Sequence, residues 1–96
     1  MAQFLALVRR LTEKFSDEEI APVLEPEAER ARQLYAQGVY RTAWSRKDVP
    51  GAVILLEAEN QAEAEGYMNT LPLKAKGMIE VDVIALGPYR GFGPRG

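Results

Sequence analysis

The stretch VYRTAWSRKDVPGAVILLEA, residues 39–58, decides the fold. Its two flanks, residues 39–46 and 52–58, are rich in β-branched, aromatic and aliphatic side chains, which favour strands. Between them, residues 47–51 end in a Pro-Gly pair, which is a strong turn signal. The stretch therefore predicts two antiparallel strands joined as a hairpin.

Helix signals flank this hairpin on both sides. Upstream, Ser16 is followed by three carboxylates, and Glu19 completes a capping box, so a helix should begin just after Ser16. Gly38 predicts the end of that helix. Downstream, Asn60 predicts the cap of a second helix over residues 61 to about 70, and the following Leu-Pro-Leu segment should end it.

Two prolines interrupt the first helical segment. Pro22 and Pro26 would each remove a hydrogen bond and crowd the preceding turn. We therefore expect a short first turn or a loop before Pro26, then a regular helix over residues 26–36, because proline suits the first helical position.

Short apolar runs at residues 3–11 and 78–86 predict a first and a fourth strand, which gives the order βαββαβ. This order predicts an α+β fold, ferredoxin-like in connectivity, with a four-stranded antiparallel sheet and two helices on one face. The chain of 96 residues is one domain. We assign residues 1–86 to it and residues 87–96, with four glycines and two prolines, to a C-terminal arm.

The predicted sheet has a second apolar face, and a face carrying Leu, Ile, Tyr and Trp is seldom left in water. A second copy of the chain is the simplest cover, so we expect a homodimer or a higher homo-oligomer.

Composition narrows the possible chemistry. The chain has no cysteine and no histidine, which excludes thiolate nucleophiles and the commonest metal ligands and general base. A net charge of −2 offers no basic surface for nucleic acid. No apolar run approaches the length of a membrane span, and the first ten residues do not fit a signal peptide, so we expect a cytoplasmic protein.

Glu27 is the candidate general base. It shares a helical stripe with Ala31 and Leu34, so its carboxylate should lose solvation and its pKa should rise. The alternative is a glutamate near solvent that complements the helix dipole.

Arg41 is the candidate anchor for a substrate carboxylate. The alternative is a structural ion pair with Glu27 or Glu80. Strand alternation places Tyr40, Thr42 and Trp44 on one face, where they would line a ligand site or simply form core or interface.

On the fourth strand, Glu80 and Asp82 share one face, while the apolar residues of that strand share the face toward the helices. The two carboxylates would line a substrate cavity or form ion pairs at a subunit interface. We expect no bound metal and no cofactor.

Several segments at fixed separation resemble the muconolactone isomerase family of the dimeric α+β barrel superfamily. They are Glu27, Ala31 and Leu34, then Gly38, Arg41 and Trp44, then Leu71-Pro72-Leu73, then Ile79-Glu80-Val81.

The resemblance implies two ferredoxin-like units packed sheet to sheet. It also implies a cofactor-free isomerase of aromatic catabolism that shifts a proton and a double bond in a small unsaturated lactone. Members of the family carry histidines at the positions of Thr42 and near Val49, whereas this chain has none. The base would then be a carboxylate such as Glu27, or the chemistry would differ.

Two other functions remain open from the sequence. The first is a cofactor-free monooxygenase of the same superfamily, with Tyr40 and Trp44 lining a larger pocket. The second is a non-catalytic binding or assembly module, in which Glu27, Arg41 and Glu80 form a closed ion-pair network. A pocket of about 300 Å³ or more between the first helix and the sheet would count against the module.

Overall fold

The computed structural model describes residues 1–92 as three helices, four strands and a short terminal turn. In chain order these are β1 (Ala2–Arg10), α1 (Asp17–Ala36), β2 (Tyr40–Ser45), β3 (Gly51–Ala58), α2 (Gln61–Asn69), α3 (Pro72–Ala75), β4 (Ile79–Ala85) and a 3₁₀ turn (Arg90–Phe92).

The four strands form one antiparallel sheet in the order β2-β3-β1-β4, which confirms the predicted α+β architecture. The core lies between one face of this sheet and the helices. The sheet contributes Phe4, Ala6, Val8, Ile54, Leu56, Ala58 and Ile79, and the helical segments contribute Ile20, Val23, Leu34, Ala64, Met68, Leu71 and Leu73. The other side of the sheet, which we call the open face, has no helix packed on it within residues 1–92.

The caps follow the predicted pattern. Ser16 Oγ accepts from Glu19 N while the Glu19 side chain accepts from Ser16 N, and Asn60 caps α2 through a bond from Glu63 N. Gly38 follows α1 with a φ of 79°, a left-handed conformation that favours glycine. The Leu-Pro-Leu segment ends α2 as expected, but the chain then forms the short helix α3, with Pro72 in its first turn.

The predicted break in α1 is wrong. The helix runs without interruption from Asp17 to Ala36 and contains both Pro22 and Pro26. Both prolines lie on the exposed side, where the backbone carbonyls that they leave without a partner can bond to water. Ile20 and Val23, buried against the sheet on the opposite side, hold the first turns in place.

The predicted alternation along β2 is also wrong. Tyr40 pairs with Leu56 and Thr42 pairs with Leu55, so Arg41 is one extra residue in the strand. This β-bulge resets the alternation. Tyr40 therefore lies on the helix side with Leu56, whereas Thr42 and Trp44 lie on the open face.

The last described residues leave the body of the domain. Residues 87–89 have no regular structure, and the 3₁₀ turn brings the rings of Tyr89 and Phe92 to a centroid distance of 4.8 Å in an edge-to-face arrangement. The rest of the predicted arm, residues 93–96, lies outside the described residues. Among residues 1–92, no helix combines the length and apolar character that crossing a membrane requires.

Candidate functional site

A groove runs between α1 and the free edge of β2. Its cavity has a volume of about 610 Å³ and is lined by Ala31, Arg32, Tyr35, Tyr40, Arg41, Thr42 and Ala43. A second depression of about 300 Å³ shares Tyr35, Tyr40 and Arg41 with it. Three residues predicted from the sequence, Tyr40, Arg41 and Thr42, therefore border one cavity. Its size counts against the predicted module in which no ligand fits beside the first helix.

Glu27 lies on α1 one turn before Ala31. Its Oε1 accepts a hydrogen bond from the backbone N of Leu73 at 2.9 Å, at the start of α3. Burial raises the pKa of the Glu27 carboxyl, and the Leu73 bond and the charge of Arg10 oppose that rise. The structure thus has Glu27 half-buried on α1.

The second carboxylate oxygen of Glu27 makes no hydrogen bond within residues 1–92. In the same residues, no side-chain oxygen or nitrogen is fully buried without a partner. The Oε2 atom of Glu27 therefore keeps some contact with solvent, and this half-buried carboxylate can still exchange a proton.

Tyr40 lies close to Glu27 beneath α1. Burial raises the pKa of the Tyr40 phenol well above its usual range, and the charge of Glu27 raises it further. Among the described residues, the hydroxyl donates only to Met68 Sδ, at 3.6 Å, which is a weak acceptor. The phenol therefore stays protonated near neutral pH and is a donor that a better acceptor could engage.

Arg41 binds neither of its predicted partners. Its Nε lies 3.5 Å from Glu57 Oε2, and its side chain is 54% exposed. Within residues 1–92 the guanidinium makes no other ion pair. Its terminal nitrogens are thus accessible to an anion in the groove.

Trp44 and Glu80 lie away from the groove. The structure therefore separates them from Tyr40, Arg41 and Thr42, which line it. Trp44 is 54% exposed on the open face. Glu80 accepts from Arg9 Nε at 3.1 Å, and Arg9 also binds Glu13. Glu80 borders a separate depression of about 570 Å³, together with Arg9, Arg46 and Asp82. The closed network of Glu27, Arg41 and Glu80 is not formed.

Sequence reasoning missed Arg32 and Tyr35 in the groove. Tyr35 continues the helical stripe of Glu27 and Ala31 at eight residues' distance, so that periodicity could have identified it. Arg32 carries no such signal, and Glu25 and Glu29 hold it through ion pairs of 2.6 and 2.9 Å. Among residues 1–92, no group of three or more acidic side chains is arranged to hold a metal ion.

The βαββαβ order, the antiparallel sheet and the helices on one face define a ferredoxin-like α+β protein. The sequence profile of the family described as muconolactone delta-isomerase matches residues 4–91, so the chain belongs to this family. The resemblance inferred from the sequence is thereby confirmed. No curated protein sequence gave a significant match.

Among solved structures, the chain is similar to 5-chloro-2-hydroxyhydroquinone dehydrochlorinase (TftG) from Burkholderia phenoliruptrix AC1100, in its complex with 2,5-dihydroxybenzoquinone. The TM-score is 0.71, and the match covers 93% of this chain and 97% of the other. The two sequences are 14% identical, so this similarity shows the fold alone.

Proposed function

We propose that this protein is a cofactor-free isomerase that shifts a proton and a double bond within a small unsaturated lactone or a related carboxylated ring compound. The observation that carries the proposal is the half-buried Glu27, whose carboxyl pKa is raised by burial. Glu27 does not itself line the groove, but it lies close to Tyr40, which does. Membership of the muconolactone delta-isomerase family supports the same reaction class.

In the proposed reaction, Glu27 is the base. One oxygen is held by the N–H of Leu73, which leaves Oε2 to take a proton from a carbon next to the substrate carbonyl. The C–H electron pair moves into the conjugated system and forms an enolate. Glu27 then returns the proton to a different carbon, so the double bond moves and no electron is gained or lost.

The residues that line the groove stabilise charge and hold the substrate in this proposal. Tyr40 donates a hydrogen bond to the developing enolate oxygen in place of its weak bond to Met68. Arg41 binds the substrate carboxylate through its terminal nitrogens, whereas the charge of Arg32 is already offset by Glu25 and Glu29. A cavity of about 610 Å³ suits a small ring compound.

A second candidate function keeps the groove but changes the reaction. The structurally similar protein is, by its description, a dehydrochlorinase that binds a benzoquinone. That description supports a lyase acting on a substituted ring, in which Glu27 would again remove the proton and a leaving group would depart.

We also propose that the protein acts as a cytoplasmic homodimer or higher homo-oligomer joined through its open face. The middle of that face is aliphatic, with Leu5, Leu7, Val53 and Leu55, and Trp44 extends it on β2. A contiguous apolar surface of this kind favours association with another protein surface.

The decisive experiment is turnover of muconolactone by the purified protein, followed by ultraviolet absorbance. The Glu27→Gln variant should lose about 100-fold or more in kcat while its circular dichroism is unchanged, because the amide cannot accept the proton. Glu18→Gln, an exposed change on the same helix, is the matched control and should keep full activity.

Because the pKa of Glu27 is raised, kcat of the wild-type protein should increase with pH through that raised value. Full activity in Glu27→Gln would remove Glu27 as the base. No turnover by the folded wild-type protein would exclude muconolactone, and chlorinated hydroxyhydroquinones would then test the lyase.

A further inference from the structure

Tyr35 borders both depressions beside α1, and the proposed reaction gives it no role. The cavity of about 610 Å³ and the smaller depression of about 300 Å³ are both lined by Tyr35, Tyr40 and Arg41. Tyr40 is buried in the core, whereas the Tyr35 side chain is 66% exposed. Among residues 1–92, the Tyr35 ring stacks on no other aromatic ring. A large aromatic surface is therefore presented to the groove without a partner of its own.

The backbone fixes the place of Tyr35 at the side of the groove. Tyr35 lies in the last turn of α1, where its carbonyl oxygen accepts a hydrogen bond from Gly38 N at 3.0 Å. The neighbouring Leu34 is fully buried, and its carbonyl oxygen accepts from Val39 N at 2.9 Å. The chain passes from this point directly into β2. Because the end of α1 is anchored in this way, a ligand can contact Tyr35 without ordering a loop, which lowers the entropic cost of binding.

Two small side chains lie beside this ring in the groove lining. Ala31 is one turn before Tyr35 on α1, and Ala43 is on β2. Their methyl groups leave space in which a ring compound can rest against the phenol ring of Tyr35. Two aromatic or conjugated rings attract each other in offset or edge-to-face arrangements, and this attraction adds to the gain from buried area. The lining therefore favours a flat ring.

The two arginines of the groove differ in how far their charges are already paired. Arg32 binds Glu25 at 2.6 Å and Glu29 at 2.9 Å through its Nη2. Arg41 has one longer contact, of 3.5 Å from its Nε to Glu57 Oε2. Within the described part of the chain, the groove therefore offers one incompletely paired guanidinium. That charge suits a ligand with a single acidic group.

We propose that Tyr35 selects the ligand of this groove by stacking on it, so that the site prefers a flat unsaturated ring with one acidic group to a saturated ring of similar size. Because it names the substrate class of the same groove, this selection rests on the proposed function. An unsaturated lactone ring is nearly planar and meets the requirement. A saturated ring is puckered, so fewer of its atoms reach contact distance from the phenol ring.

Binding of two acids to the purified protein tests the stacking without any turnover. Benzoate has a flat ring, and cyclohexanecarboxylate is its puckered counterpart. In NMR titrations of the backbone amides, wild type should bind benzoate several-fold more tightly, and the signals of Thr42 and Ala43 should shift. Tyr35→Leu keeps an apolar side chain but removes the aromatic face. It should weaken benzoate binding by about three- to tenfold and change cyclohexanecarboxylate binding by less than about twofold.

Three further variants separate stacking from charge and from general effects on α1. Tyr35→Phe keeps the aromatic face and should bind both acids as wild type does. Arg41→Gln removes the charge and should weaken the binding of both acids by a similar factor. Leu24→Ala removes an exposed apolar side chain of α1 that lies outside the groove, and it should change neither affinity.

Three results would overturn the role of Tyr35. They are an unchanged benzoate affinity in Tyr35→Leu, an equal loss for both acids in that variant, and a wild-type protein that binds neither acid at millimolar concentrations. Turnover of muconolactone tests the proposed reaction separately. Turnover with an unchanged benzoate affinity in Tyr35→Leu would remove the stacking alone, whereas benzoate binding that depends on Tyr35 without turnover would remove the reaction alone.

Discussion

At the scale of single residues, two opposing effects act on Glu27. Burial favours its neutral form, whereas the N–H of Leu73 and the charge of Arg10 favour its carboxylate. Burial is the largest of these effects, so the pKa rises. The bond from Leu73 also fastens α1 to the start of α3, which gives the same side chain a structural contact and a candidate chemical role.

This raised pKa predicts how stability depends on pH. The folded protein holds the Glu27 proton more tightly than the unfolded chain does. The contribution of this proton to the free energy of unfolding is therefore complete below the unfolded pKa of about 4.3. The contribution is lost as pH rises through the folded value. The free energy of unfolding of wild type, relative to Glu27→Gln, should therefore fall as pH rises and level off above that value.

Urea unfolding at pH values from 4 to 8 measures this difference. The pKa of Asp48 is lowered to about 2 by Arg46. The contribution of Asp48 to the pH dependence of unfolding therefore falls mainly below this range. Glu18→Gln provides the reference for an exposed carboxylate on the same helix. Parallel curves for wild type and Glu27→Gln would show that burial does not perturb this carboxyl.

At the scale of elements, the sequence predicts what is decided locally. The capping box at Ser16, the stop at Gly38 and the cap at Asn60 each depend on a few neighbouring residues, and all three are present. The continuity of α1 through Pro22 and Pro26 depends instead on packing against the sheet. No local signal describes that packing, so the predicted break is wrong.

The alternation along β2 was predicted wrongly for the same reason, because no local sequence signal marks the bulge at Arg41. Its extra residue is visible only in the pairing of β2 with β3, and it moves Tyr40 to the helix side while Thr42 and Trp44 stay on the open face. A period of two counted along the sequence cannot detect this shift. The predicted site therefore contains suitable residue types but groups them on the wrong faces.

An added methyl group should have opposite effects on protein stability at two glycines, one at the start of β3 and one in α2. A Cβ on Gly51, at the start of β3, would lie 2.0 Å from the carbonyl oxygen of Val8 on β1. Gly51→Ala should therefore destabilise the protein by about 3 kcal/mol, because backbone has to move. A Cβ on Gly66 in α2 meets nothing within 4 Å, and Gly66→Ala should stabilise by about 0.5–1 kcal/mol.

Chemical denaturation of both variants and of wild type tests this pair. Equal effects of the two substitutions would mean that helix and strand propensities, and not the approach of β1 to β3, decide the result. A loss of stability in Gly66→Ala would show that α2 has a neighbour at this position that residues 1–92 do not supply.

At the scale of the whole molecule, the sheet has one face in the core and one face that is aliphatic yet uncovered within residues 1–92. A domain of 96 residues buries a modest share of its surface, so covering the second face adds substantially to its stability. The sequence predicted that this face needs a cover, because its strands are apolar on both sides. It could not predict which residues of the open face lie side by side, because that depends on the pairing register of all four strands.

Association and folding are thermodynamically linked when only the folded chain associates. If the dimer is the folded form, a hundredfold increase in protein concentration adds about 1.4 kcal/mol of stability per chain. For a domain of this size, that should raise the melting temperature by roughly 5–10 °C.

Leu55→Glu, which puts a charge in the middle of the open face, should abolish this dependence and give a monomer in sedimentation. Leu24→Glu makes the same change at an exposed position on α1 and should leave the dependence intact. A melting temperature that depends on concentration in Leu55→Glu would mean that the copies associate through another surface. In that case the open face would need a cover other than a second copy of this chain.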